Sequence, residues 1–345
     1  MRHRRAWVAL AVTVFAGAHV CAPATAAAPT VREVFQKVKP AVVVIRAQGR
    51  EVTTGGHTRF TETGSGVLIS EDGKVMTAAH VVHAMDEIAV EFLGGETISA
   101  RVVASEPAAD LSLLQLERVP PGAAVAHLAD SDGAQIGDEV LIVGAPYGLS
   151  HSLSTGHISA RWAPNTVYRT MPLAEFFQTD AVINTGNSGG PMFDMSGAVI
   201  GIVSHNISRS GGSEGLGFVV TLNTARTLML EGRSFWSGME GLALTDEVAD
   251  LLNVPSRAAG YMVKTVAKDS PAEHIGLRGA TQIVRISGED VPLGGDIIMS
   301  VEDIPAAGAN VQRIHQTLKR LAPGATFRVT ILRAGEVLHL TGRIP

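Results

Sequence analysis

The sequence predicts a mainly β protein made of two successive units, and three observations carry that prediction. From Val31 to about Leu228, short alternations of apolar and polar residues are broken by Gly, Asp and Asn, the pattern of antiparallel strands closing into paired barrels. Within that stretch, three short motifs appear in a fixed order: Met76-Thr77-Ala78-Ala79-His80, then Asp110-Leu111-Ser112-Leu113-Leu114, then Gly186-Asn187-Ser188-Gly189-Gly190-Pro191. The length of 345 residues suits about two domains at ~150 residues each, both large enough for a core of their own.

The elements follow in order. Residues 1–26 read as a secretory signal peptide: Met1-Arg2-His3-Arg4-Arg5, an apolar run from Ala6 to Ala18, and Ala24-Thr25-Ala26 ahead of the cleavage point. An uncleaved inner-membrane anchor ranks second, because the strongly apolar part is shorter than the ~17–25 residues that span a bilayer. Cys21, the only cysteine, falls in this segment, so the mature chain forms no disulfide and suits an oxidising periplasm. Cleavage takes three arginines and no acid from 28 basic and 33 acidic side chains, leaving a net charge of −8, which argues against nucleic acid as a partner.

Val31 to Val38 has the spacing of a short amphipathic helix ended by Pro40, and Ala41 to Ile45 begins the first buried strand. Gln48 to Thr61 is polar and contains glycine, so it reads as an exposed loop. The first domain covers 31–228. A linker over 229–240 follows, in which Phe235 and Trp236 are expected to pack onto a domain. The second domain, 241–345, starts with a short helix from Leu244 to Leu252 capped by Thr245. It continues with a β-hairpin near 279–293 around Ser287-Gly288-Glu289-Asp290, then a helix from Val311 to Leu321 and a strand ending in Val329-Thr330-Ile331-Leu332-Arg333.

The three motifs supply the parts of a nucleophilic hydrolase. Serine is a weak nucleophile and needs a base, a group that orients the base, and N–H donors for the developing oxyanion. Ser188, His80 and Asp110 fill the first three roles, and the glycine-bounded turn Gly186, Asn187, Ser188 is the candidate oxyanion hole. Gly-x-Ser-x-Gly also matches the elbow of α/β-hydrolases, but there the serine precedes the acid and histidine and opens a helix. Here the serine comes last and is followed by two short strands around an Asp-Met-Ser-Gly turn, which fits a chymotrypsin-like double β-barrel. Asp86, Asp130 and Asp132 compete weakly with Asp110, and Asp180 reads as a structural contact. His83, three residues after His80, invites a metal pair that no Glu or Cys constellation supports, so no metal and no cofactor are expected.

Together with Gly64-Ser65-Gly66-Val67 and Gly215-Leu216-Gly217-Phe218, these motifs resemble the HtrA/Deg family of trypsin-like serine proteases. The resemblance implies an ATP-independent endopeptidase that degrades unfolded or misfolded proteins, with a homo-trimer built through N-terminal contacts such as Val34 and Phe35. It also places substrate-pocket walls at Ile183, Ser204 and His205, and restraining loops at Ser150 to His157, Arg161 to Leu173 and Ser208 to Glu214. No acid stands where a basic-specific pocket needs one, so small or medium apolar residues are expected before the cut. His205 either narrows that pocket or turns to solvent. The second domain resembles a bacterial PDZ domain, which binds C-terminal peptides by strand addition, and Gly260, Tyr261, Met262 and Val263 are expected to form its carboxylate loop and edge. A peptide-binding chaperone or adaptor with little turnover is the alternative reading.

Overall fold

The computed structural model describes residues 28–209, 212–252, 254–255, 260–286 and 289–344. The expected signal peptide lies outside these residues. Helix α1 (Val31–Val38) is closed by a reciprocal capping box between Thr30 and Glu33, worth ~1 kcal/mol or so in such settings. Val34 and Val38 on its inner face are buried in the chain's own core.

The first barrel closes in the order β1-β2-β3-β6-β5-β4, from β1 (Val42–Thr53), β2 (Gly56–Leu68), β3 (Lys74–Thr77), β4 (Glu87–Glu91), β5 (Thr97–Glu106) and β6 (Leu111–Leu116). Its interior is filled by Ile45, Leu68, Val75, Val90 and Leu114, among others. The expected loop at Gln48 to Thr61 is instead the outer half of a long hairpin, with β1 and β2 in register from Val42↔Val67 to Thr53↔Gly56. Polar strand residues at a solvated hairpin look like loop in a sequence. Gly56 supplies the positive φ that the turn requires.

The second barrel closes in the order β10-β11-β12-β9-β8-β7, from β7 (Glu139–Gly144), β8 (Ser152–Trp162), β9 (Phe176–Thr179), β10 (Pro191–Phe193), β11 (Val199–Asn206) and β12 (Gly217–Thr221). Most of the expected loop Ser150 to His157 is thus strand β8, paired with β7. Between the barrels lies a third core of Val67, Met76, Leu111, Leu141, Phe176, Phe193 and Phe218, joined by Val34 and Val38. Fully burying side chains of this size stabilises by ~1.5–3 kcal/mol each, so the seam on which the motifs sit is also a hydrophobic core. Short helices α2 (Ala79–Val82) and α3 (Leu222–Ala225) complete this part, and α3 runs on into a π-helical turn at Arg226–Glu231.

The C-terminal unit is one antiparallel sheet in the order β13-β14-β17-β19-β20, with β13 (Met239–Ala243), β14 (Tyr261–Val266), β17 (Ile297–Val301), β19 (Thr326–Arg333) and β20 (Glu336–Arg343). The separate hairpin β15 (Gln282–Ile286) and β16 (Glu289–Leu293) matches the insertion expected from sequence, and β18 (Ile304–Pro305) pairs β17. Helices α4 (Asp246–Leu251) and α6 (Val311–Arg320) lie where the sequence put them, with Thr245 capping α4, and a short helix α5 (Pro271–His274), capped by Ser270, stands where none was expected. One expectation fails. Strand β14 is paired on both sides, with β13 and with β17, so Gly260 to Val263 do not form a free edge. Among the described residues the outer strands of the sheet are β20 and β13, and the edge next to β14 belongs to β13, whose Gly-containing sequence Met239-Glu240-Gly241-Leu242-Ala243 gave no strand signal.

The C-terminal unit is seated on the first barrel. Trp236 Nε1 donates to the His83 carbonyl at 2.7 Å, and His83 Nε2 lies 3.1 Å from the Met239 carbonyl. The Lys268 N–H donates to Asp86 at 2.8 Å, and Lys319 of α6 pairs with the buried Glu106 at 3.0 Å. The expectation that Trp236 packs onto a domain therefore holds. The inserted hairpin packs against β1 and β2.

Candidate active site

Asp110 follows the 3-10 turn Pro107–Ala109 and takes a left-handed backbone, φ 54° and ψ 42°, which asparagine and aspartate tolerate best among residues with a side chain. That conformation turns its carboxylate toward α2. Oδ1 accepts from the His80 main-chain N–H at 3.1 Å and lies 2.9 Å from His80 Nδ1, while Oδ2 lies 3.0 Å from Nδ1 and accepts a very short bond from Ser204 Oγ. A carboxylate accepts only, so His80 carries its proton on Nδ1 and leaves the Nε2 lone pair open.

The electrostatics agree with this tautomer. Burial pushes the Asp110 carboxyl up, but the His80 hydrogen bond and charge and the Ser204 hydroxyl hold it below its usual range. For His80, burial pulls the imidazole down, and the hydrogen bond and charge of Asp110 outweigh it, so its pKa stands raised above the ordinary value. The imidazole is not sealed in: its side chain is 46% exposed against 8% for Asp110.

Ser188 comes from the second barrel on a turn that only glycine can build. At Gly186, φ is 101° and a Cβ would lie 2.2 Å from the Ala145 carbonyl oxygen; at Gly189, φ is 80° and a Cβ would lie 2.1 Å from Thr77 Oγ1. Ser188 Oγ donates to the Ser204 carbonyl at 3.2 Å, so the hydroxyl is parked there instead of on the imidazole. Among the described residues the N–H groups of Gly186 and Ser188 have no hydrogen-bond acceptor. Asn187 differs. Its N–H donates to the Asn184 carbonyl at 3.0 Å, so it is spoken for and cannot join the other two as a donor.

The expected pocket residues divide. Ile183 is buried and packs on Gly217, its Cδ1 2.5 Å from where a Cβ there would stand, so an apolar side chain closes that flank near the turn. Ser204 does not act as a pocket wall with its side chain, which points to Asp110. This orienting contact was missed in the sequence because the partners are 94 positions apart. His205 is not turned to solvent: it stacks on Phe218 with ring centres 5.5 Å apart and meets Tyr168 edge-on at 4.1 Å, with Nδ1 2.8 Å from Ser204 Oγ. Burial pushes it down to about 4.

The rival groups are engaged elsewhere. Asp86 pairs with Arg50 at 2.8 Å, Asp132 with Arg161, and Asp180 accepts from the His157 N–H at 2.6 Å. His83 bonds Ser105 Oγ at 2.7 Å and is pushed down to about 4 by burial, as befits a structural histidine. Among the described residues no group of three or more His, Cys, Asp or Glu is placed to hold a metal.

Residues 64–202 match the trypsin-like peptidase domain family. A probable periplasmic serine endoprotease, DegP-like, of Halomonas elongata is 32% identical over 295 residues, 83% of this chain and 57% of that protein. Its namesake in Ectopseudomonas mendocina is 35% identical over 252 residues, 70% of this chain and 52% of that protein. The chain thus spans little more than half the length of these curated relatives. Among solved structures, HtrA-type protease AlgW with a tripeptide is 30% identical with a TM-score of 0.52, covering 91% of this chain and 96% of that one. The same protease with a decapeptide gives 28%, 0.52, 91% and 98%. With both barrels, the motif order and these relatives in agreement, the chain belongs to the HtrA/Deg family of trypsin-like serine proteases.

Proposed function

We propose that this chain is an ATP-independent periplasmic serine endopeptidase that cleaves unfolded or misfolded proteins through an acyl-enzyme. The observation that carries the reading is that Ser204 links the two barrels' parts: Ser188 Oγ donates to its carbonyl, its own Oγ donates to Asp110, and Asp110 accepts from His80 Nδ1. In this reading Ser188 leaves the Ser204 carbonyl, gives its proton to His80 Nε2 and attacks the scissile carbonyl. Asp110 holds the tautomer and stabilises the imidazolium, and the open N–H groups of Gly186 and Ser188 receive the oxyanion, each such donor being worth ~3–4 kcal/mol. The imidazolium then protonates the leaving amine, and water repeats the sequence on the ester.

With no acid at Val182 or Ile183 and with the buried Ile183 packed on Gly217, Val, Ala, Ile or Leu is expected before the cut in preference to Lys or Arg. The periplasmic assignment rests on the signal-like segment 1–26 and on relatives named periplasmic. We assign residues 241–345 to a PDZ domain that recruits C-terminal peptides, with the open edge of β13 as the docking strand in place of Gly260 to Val263. A homo-trimer remains part of the proposal. Val34 is buried in its own subunit, so Phe35, packed only partly against the same core, is the better contact of the two.

The parked Ser188 hydroxyl favours a second reading, in which the chain holds peptides with little turnover. Digestion of a reduced, unfolded model protein by the purified mature chain, with cut sites mapped by mass spectrometry, separates them. Cuts after small or medium apolar residues support the endopeptidase. Peptide capture without cleavage supports the chaperone.

A further inference from the structure

The motif Gly64-Ser65-Gly66 lies on β2, in the other barrel from the serine turn, and the mechanism above makes no use of it. Ser65 is fully buried and sits where the two barrels meet. Its N–H donates to the Ser188 carbonyl at 2.8 Å, and its carbonyl accepts from Thr77 Oγ1 at 2.7 Å. Its hydroxyl donates to the Gly186 carbonyl at 2.7 Å and accepts from the Ala145 N–H at 2.9 Å. A hydroxyl has one proton, so these two bonds fix its orientation.

We infer that Ser65 is a positioning residue that holds the Gly186–Ser188 turn open to an oxyanion. In a planar trans peptide the C=O of one residue points opposite to the N–H of the next. The Thr185 carbonyl, held by the Tyr147 N–H at 2.8 Å, therefore aims the Gly186 N–H, and the Asn187 carbonyl, held by the Gly190 N–H at 2.9 Å, aims the Ser188 N–H. The Gly186 carbonyl, held by Ser65 Oγ, fixes the peptide between these two, whose own N–H, that of Asn187, is turned away to the Asn184 carbonyl, so Ser65 keeps the two donor peptides in their relative setting. Among the described residues, Ser65 supplies the one side chain that anchors these carbonyls. It clamps the most permissive unit of the turn, because glycine at 186 resists rotation less than any other residue. Removing the hydroxyl strands two buried main-chain groups, Gly186 C=O and Ala145 N–H, which can regain partners only by moving the turn.

This inference deepens the serine endopeptidase reading and rests on it, so the test first asks whether the wild-type chain hydrolyses a peptide amide and is inhibited by a peptide boronate. If it does neither, the enzymatic reading itself falls, and the inference with it. Given an active wild type, Ser65→Ala is expected to lower kcat about ten- to hundred-fold, short of the ~10²–10³ for deleting a donor outright, with KM within about threefold. Boronate affinity should fall by a similar factor, since the boronate engages the oxyanion donors, while a product-like peptide should bind as before. Ser65→Thr, which keeps a hydroxyl, should restore kcat, and Ser65→Val, its isostere without one, should not. Wild-type kcat in Ser65→Ala overturns the inference, as does a loss shared equally by boronate and product-like peptide. If Ser65→Ala does not fold, the Thr and Val variants decide by the same readouts, and equal activity in those two overturns it.

Discussion

The two barrels contribute unlike halves of one site. The first barrel offers His80 and Asp110 as an assembled pair: side chain meets side chain, the carboxylate is buried, and α2 is braced from outside by Trp236 and Met239 of the chain that follows. The second barrel offers a turn whose geometry is written in main-chain carbonyls and glycines, and whose proposed nucleophile, Ser188, rests on a backbone oxygen. Acid–base chemistry asks for a fixed tautomer, which a buried carboxylate supplies. Oxyanion binding asks for N–H groups aimed at empty space, and only neighbouring segments can hold a turn in that state.

Breaking the first half should cost most. Asp110→Asn keeps a side chain that tolerates the left-handed backbone but presents an N–H to the imidazole, so kcat should drop ~10⁴-fold with the fold intact. Steady-state kinetics beside a circular dichroism spectrum checks both parts. Ser204→Ala removes one donor from the same carboxylate while His80 keeps its own two bonds. A hydrogen bond to a charged group is worth ~1.5–3 kcal/mol, and a loss of about tenfold to a hundredfold in kcat is expected, smaller than for Asp110→Asn.

Acid should act on the two halves differently. His80 must be neutral to act as base, and its pKa is raised, so activity should fall as pH drops through a midpoint above the ordinary ~6.5. His83 and His205 are both pushed down to about 4 by burial. Between ~6.5 and about 4 the unfolded chain binds protons at these two that the folded chain does not, so their linkage lowers stability as pH falls through that window. His80, with its folded pKa raised, works the other way, but its window runs from that raised value down to ~6.5 and its contribution is largely in place below that. From pH 6.5 toward 4.5 the lowered His83 and His205 therefore prevail, and the thermal midpoint should decline. A midpoint that rises over that range contradicts the burial of His83 and His205.

Lys319→Ala sharpens the contrast from outside the barrels. Glu106 precedes the turn that presents Asp110, and it is buried, with Lys319 at 3.0 Å and His315 at 3.7 Å as its partners from α6. A fully buried pair loses ~3–5 kcal/mol when broken, and the partial exposure of Lys319 reduces the expected loss to about 1–2 kcal/mol. Limited proteolysis near Gly232 to Gly238 should quicken, with little change in cleavage of a short peptide.

How much of this was legible in the sequence follows from how far apart the partners stand. His80, Asp110 and Ser188 each carry their signal in neighbouring residues, and their order along the chain separates rival folds. The barrels were legible from alternation, and the hairpin near 279–293 from its apolar runs. Ser204 and Ser65 were not legible as partners, because a serine acquires its role from an acceptor 94 or 121 positions away. Asn187 was counted with the oxyanion donors because motif position does not reveal which N–H is already bonded. The Gln48 to Thr61 hairpin and the edge at β13 were misread for one reason: polar or glycine-rich strands have no period of their own and become strands through pairing.

The central claim is that Ser188 is a nucleophile activated by His80. Exposing the mature chain to a serine-directed fluorophosphonate and mapping the adduct by mass spectrometry tests it most directly. The account predicts one adduct, on Ser188, formed at a rate that His80→Ala reduces by orders of magnitude and that Ser188→Ala abolishes. An adduct elsewhere, or labelling of Ser188 at the same rate without His80, contradicts it.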